Sequence, residues 1–110
     1  MKSATRPAFS SAWFRFSAEP GTSREALLLH DADTLDLLGA IGVARVLSLV
    51  GLDDWAPDLP SAVRLIDRYS RELPERLALP GARALALVRQ REMTAFLTSL
   101  ATETGGFSTL

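Results

Sequence analysis

Between Leu37 and Leu52 the chain runs sixteen residues with a single charge, Arg45, and the six residues before that run hold three aspartates, Asp31, Asp33 and Asp36. A segment so apolar has to be buried, yet it is shorter than the ~20 residues that cross a bilayer. It reads as a helix in the middle of a bundle, with Arg45 either snorkelling out or meeting a carboxylate. Clustered carboxylates beside a buried helix are costly unless water, a metal or a cation takes up their charge. The junction from His30 to Arg45 is therefore where chemistry would sit.

The remaining composition narrows the class. With 110 residues, 47% of them hydrophobic, the chain suits one domain with one modest core. A net charge of −1 argues against a general electrostatic grip on nucleic acid or on an anionic membrane. Eleven of the twelve basic residues are arginine, but they are scattered and mark no site by themselves. Cysteine is absent, which excludes disulfides and thiolate-bound zinc and makes a cytoplasmic location the default. The first twenty residues contain no continuous apolar stretch of signal-peptide type.

Residues 1–21 read as an irregular arm, carrying Pro7, Trp13, Phe14 and Phe16 and closing at Pro20-Gly21, with the aromatics anchoring it to the core. Thr22-Ser23-Arg24-Glu25 has the form of a capping box, so a helix begins there. Leu28, Ala32, Leu35 and Gly39 follow at helical spacing and predict its core-facing stripe, while Asp33 and Asp36 share a face and Asp31 points elsewhere. Gly39 and Gly42 mark a change of element or a close backbone contact. Residues 53–60 read as a loop. A third helix starts near Pro60, buries Ala62, Ile66, Tyr69 and Leu73, and stops at Pro74. Arg64, Asp67, Arg68, Arg71 and Glu72 form its solvated face. Pro80 opens a last helix with a stripe of Leu85, Ala86, Met93, Phe96, Leu97 and Leu100, which Arg89 interrupts either as a rim residue or as a cation turned toward the acidic site. Gly105-Gly106 ends that helix and the last residues fray. The expected fold is all-α: a small bundle of about four helices with no strand.

Carboxylates suit magnesium, manganese or ferrous iron. His30 is the single histidine and adjoins Asp31, but adjacent helical residues point about 100° apart, so this pair is not expected to chelate one ion. No oriented base stands beside a serine nucleophile, and Gly39-Ala40-Ile41-Gly42 lacks the lysine of a phosphate-binding loop. The residues alone suggest an acidic pocket.

The run Asp31 to Arg45, DADTLDLLGAIGVAR, closely resembles the downstream motif of the HD-domain metal-dependent phosphohydrolases, in the branch where Asp-Ala-Asp-x-Leu-Asp leads into Gly-Ala-Ile-Gly. The likeness extends over roughly residues 22–104, through Ile66 to Leu77, Pro80-Gly81-Ala82-Arg83, and Arg89, Met93 and Phe96 before Glu103. It implies an all-α domain in which a histidine, a His-Asp pair and a distant aspartate hold one or two divalent metals, whose activated water attacks a phosphate ester or nucleotide. By that resemblance Asp33 is the metal ligand, Asp31 and Asp36 support it from behind, and Arg45 balances their charge.

The family's histidine and His-Asp pair belong upstream of this motif, where the sequence has no histidine, and His30-Asp31 overlaps the motif itself. The resemblance therefore covers the C-terminal half of such a domain. It implies little activity alone and a metal (manganese, magnesium or iron) bound once the missing ligands are supplied. The partner implied is a separate N-terminal HD half, or other copies of this chain contributing His30. The alternative is a non-catalytic helical interaction or oligomerisation module descended from the same domain.

Overall fold

The computed structural model describes residues 23–110. The arm carrying Trp13, Phe14 and Phe16, and Thr22, the residue expected to cap the first helix, lie outside them. The described chain is all-α: α1 (Arg24–Leu35), α2 (Gly39–Ser48), α3 (Leu59–Glu72), a 3-10 turn (Leu73–Arg76) and α4 (Pro80–Glu103), with no strand among these residues. No helix among them is long and apolar enough to cross a membrane.

Local chemistry sets most of these boundaries. Ser23 caps α1, its Oγ accepting the Ala26 N–H at 3.0 Å. Asp58 caps α3 by accepting the Ser61 N–H at 2.9 Å, and the Ser61 hydroxyl and N–H together hold the Asp58 carboxyl below the usual range. In α3 the expected stripe holds in full, with Ala62, Ile66, Tyr69 and Leu73 buried. Its solvated face is laced by Arg68 to Glu72 and Arg71 to Asp67, each four residues apart. Burial pushes the Tyr69 phenol well above its ordinary pKa, so the ring serves as core. Pro74 does not break the chain sharply. It sits inside the 3-10 turn, which carries buried Leu73 round toward Leu77.

The last helix is the hub. Over 24 residues, about 36 Å, it packs against α1, α2, α3 and the 3-10 turn. Ala86 and Met93 are fully buried, with Phe96, Leu97 and Leu100 half-buried beside them. Leu85, expected in that stripe, is 41% exposed because it lies about 100° round the helix from Ala86. Gln90 ties α4 to α3, its amide donating to the Ser70 carbonyl at 2.6 Å. The C-terminus does not fray. The Gly106 N–H reaches back to the Ala101 carbonyl at 2.8 Å and the Ser108 N–H to that of Thr104 at 3.0 Å, closing the helix in a left-handed turn.

Two sequence expectations fail here. The apolar run is not one helix buried all round: α2 ends at Ser48, Leu52 is 75% exposed, and Ala40, Ile41, Ala44 and Arg45 form an outer face. In α1 the expected stripe is split: Leu28 is 47% exposed and Ala32 is exposed, whereas Leu35 packs against the core and Gly39 is buried, and Asp31 and Thr34 are buried with them.

Glycine makes the α1–α2–α4 junction possible. Gly39 opens α2 with φ +77° and lies under the stem of Arg89, whose Cβ would stand 3.0 Å from an added side-chain carbon. A Cβ on Gly42 would strike the Leu37 carbonyl and stand 3.1 Å from the Met93 methyl. Since backbone cannot withdraw as a side-chain tip can, Gly42→Ala is expected to destabilise the fold by about 3 kcal/mol. Urea unfolding at neutral pH reads this as a lowered midpoint at unchanged m-value, and an unchanged midpoint would contradict the close contact.

Candidate functional site

The three aspartates take three different environments. Asp31 is buried, 2% exposed. Its Oδ1 accepts the Ala78 N–H at 3.0 Å, its Oδ2 accepts the Leu79 N–H at 2.8 Å, and His30 Nδ1 lies 3.1 Å from Oδ1. Burial pushes its carboxyl pKa up, but the N–H groups of Ala78 and Leu79 and the neighbouring His30 outweigh that, so Asp31 ends more acidic than an ordinary aspartate. Asp33 is half-buried, about 200° round α1 from Asp31. Asp36 is exposed and forms the C-cap of α1, its N–H reaching the Ala32 carbonyl at 3.2 Å.

The capping logic of α4 explains why Asp31 turns inward. Leu79 stands at its N-cap with no side-chain acceptor, and Pro80 follows without an N–H. The amides of Ala78 and Leu79 therefore need an acceptor from elsewhere, and a carboxylate at a helix N-terminus also meets the positive end of the helix dipole. Asp31 answers both needs from 47 and 48 residues away. The signal in the sequence is the uncapped Leu77-Ala78-Leu79-Pro80 entry, but nothing local says which acid fills it.

His30 and Asp31 are joined by a hydrogen bond although adjacent helical residues point about 100° apart. The imidazole folds back over its neighbour and is 8% exposed. Because an ionised carboxylate only accepts, Nδ1 is the ring nitrogen that donates to Asp31. This orients one ring nitrogen, which is the beginning of a base or a ligand and no more. Thr34 takes no part, since its hydroxyl bonds back to the His30 carbonyl at 2.9 Å.

The cations are placed elsewhere. Arg45 is exposed on the outer side of α2 and makes no ion pair with a described carboxylate, so it does not balance the aspartates. A ten-residue helix beginning at Gly39 presents Arg45 on the side away from buried Val43 and Val46. Arg89 is half-buried with a covered stem, the first of the two roles expected of it, and its head goes to a backbone carbonyl and not to the aspartates. Its Nη1 donates to the Leu35 carbonyl at 2.7 Å, closing the C-terminal end of α1, while its stem covers Gly39.

Among the described residues no three His, Cys, Asp or Glu side chains are grouped to hold a metal ion. Asp31 has both oxygens committed to backbone N–H groups, so a supporting role behind Asp33 does not describe it. The described side chains by themselves do not fit a divalent metal. A search of protein-family models, of curated proteins and of solved structures finds no match to this chain.

The Asp31 carboxylate gives acid stability a definite sign. Its folded-state pKa is depressed, so its contribution is complete at neutral pH, begins to fall near about pH 4 where the unfolded carboxyl takes up a proton, and is lost as pH drops through the lower folded value. Asp31→Asn removes the negative charge and sets a donor NH2 group against one of the positions that now accept the Ala78 and Leu79 N–H groups. It is expected to unfold about 3 kcal/mol more easily at pH 7 and to lack this segment of pH dependence. Urea titrations of both proteins between pH 7 and pH 2.5 measure it, and parallel curves would remove Asp31 from the role described.

Proposed function

We propose that this chain works as one helical half of an HD-type metal-dependent phosphohydrolase and performs no hydrolysis until a partner supplies the histidine and His-Asp positions lying outside it. The observation that carries this reading is the outward face of α1. Leu29, 60% exposed, and Asp33 are four residues apart and so share one side of the helix, with exposed Leu28 and Ala32 beside them. A partner segment covering those leucines would arrive directly against Asp33, the one carboxylate of the motif this chain would contribute. Asp31 is excluded from that contribution by its backbone bonds, and Arg45 by its position. The substrate class, a phosphate ester or nucleotide, comes from the resemblance of residues 31–45.

A second reading is a non-catalytic module that associates through the same face. It is favoured by exposed apolar side chains on two elements, Leu28 and Leu29 on α1 and Leu85 and Val88 on α4, each more than 40% exposed.

Dialysis against manganese followed by elemental analysis is expected to leave well below one metal per chain, in wild type and in Asp33→Ala alike, with no hydrolysis of p-nitrophenyl phosphate by either. Stoichiometric metal and hydrolysis by the chain alone, both lost in Asp33→Ala, would overturn the proposed incompleteness. Light scattering separates the two readings. A homo-oligomer dispersed by Leu29→Glu supports the association module, whereas a wild-type monomer supports a half-domain awaiting a different partner.

A further inference from the structure

An open cleft of about 570 Å3 runs between α3 and the second half of α4, within the size range of small-molecule sites. Its walls are helical stripes: Val63, Asp67 and Ser70 on α3 face Thr94, Leu97 and Thr98 on α4. The Gln90–Ser70 bond fixes the antiparallel pairing of the two helices, which brings Arg64 close to the level of Leu97 and Thr98. Phe107 also lines it.

Charge along the cleft is uneven. Arg64 and Arg71 stand seven residues apart on one side of α3, two turns or about 10 Å along the axis. Asp67 lies between them but belongs to Arg71, whose Nη2 and Nε reach its Oδ2 at 2.8 and 3.1 Å. Arg64 bonds the Ser61 hydroxyl at 3.1 Å and no carboxylate. Asp58 at the cap of α3 feels its charge but forms no ion pair with it, so Arg64 brings a positive charge to a cleft whose other contributors are the Arg71–Asp67 pair and apolar or hydroxyl-bearing side chains.

Phe107 adds a second, independent observation. It is a bulky aromatic held at φ +71°, in the left-handed region that such residues rarely adopt, and it is 37% exposed. The Thr104 hydroxyl accepts its N–H at 2.9 Å and fixes it there. A strained residue kept at the mouth of a cleft, with its ring left open to solvent, fits a surface used for contact better than one used for core.

We infer that this cleft binds a small amphipathic organic anion, with its carboxylate or phosphate at Arg64 and its apolar body along Val63, Leu97 and Phe107. The site is separate from the α1 face and does not depend on the phosphohydrolase reading. The same head-and-tail chemistry is found in a free metabolite and in an anionic lipid surface, and the openness of a cleft sized for one small molecule favours the free ligand.

The test uses the full chain and three probes kept below micelle formation: decyl phosphate, decanoate and decanol. Amide shifts in a nitrogen-15 NMR titration are expected at Val63, Leu97, Thr98 and Phe107 with both anions, and decanol is expected to bind about tenfold more weakly. Arg64→Gln should abolish that difference while leaving decanol binding unchanged. Phe107→Gly, which relieves the backbone, should keep the helical circular dichroism and weaken all three probes. Equal binding of decanol and the anions to wild type, or shifts confined to α1, would overturn the assignment. Arg64-dependent sedimentation with phosphatidylglycerol vesicles, without cleft shifts from decyl phosphate, would overturn it in favour of a lipid surface.

Discussion

One buried carboxylate joins the two ends of this helical array. The Asp31 oxygens satisfy the amides of Ala78 and Leu79 just where α4 begins, and α4 is the helix against which every other helix packs. An apolar contact at this point would leave two N–H groups without partners, a cost comparable to the loss of the hydrogen bonds themselves. The bond is also directional, so it fixes the rotation of α1 about its own axis, which hydrophobic contact alone would leave loose. Once Asp31 points inward, Leu29 and Asp33, each about 200° round the helix from it, have to point elsewhere.

The rest of the junction follows from how closely α1 and α2 approach α4. Gly39 and Gly42 let backbone and Arg89 stem come together where any larger side chain would intrude. Arg89 then completes what Asp31 starts: the acid satisfies donors at the beginning of α4, and the arginine satisfies the Leu35 acceptor at the end of α1. Each charge is used to finish a helix terminus. The consequence for function is that two groups attractive as site residues, Asp31 and Arg89, are occupied in holding the helices, and Arg45 is turned to solvent. What remains at the surface of α1 is Asp33 with exposed Leu28 and Leu29 and the acids Glu25 and Asp36, which suits a contribution to a shared site better than a site of its own.

Two surfaces consequently divide the molecule. The α1 face carries exposed leucines among the acids Glu25, Asp33 and Asp36, and the α3–α4 cleft carries Arg64 beside the Arg71–Asp67 pair. Their opposite charge means that they would attract different ligands, and the core between them, built on Tyr69, Ile66, Met93 and Val46, keeps them independent.

The sequence by itself determined the elements. Helical spacing of Ala62, Ile66, Tyr69 and Leu73 fixed both the existence and the facing of α3, because four apolar residues on one side of an otherwise charged helix admit one orientation. Pro80 and the Gly105-Gly106 stop likewise act within a few residues of themselves and can be read there, whereas the capping residue of α1 is Ser23 and not the Thr22 that the sequence suggests, and the Asp58 cap of α3 lies in what reads as loop. The facing of α1 could not be read, since its leucines and its aspartates offer two competing stripes of similar length. That choice fell to the tertiary structure, where the unmet amides of Ala78 and Leu79, nearly fifty residues away, made burying a carboxylate more favourable than burying two leucines.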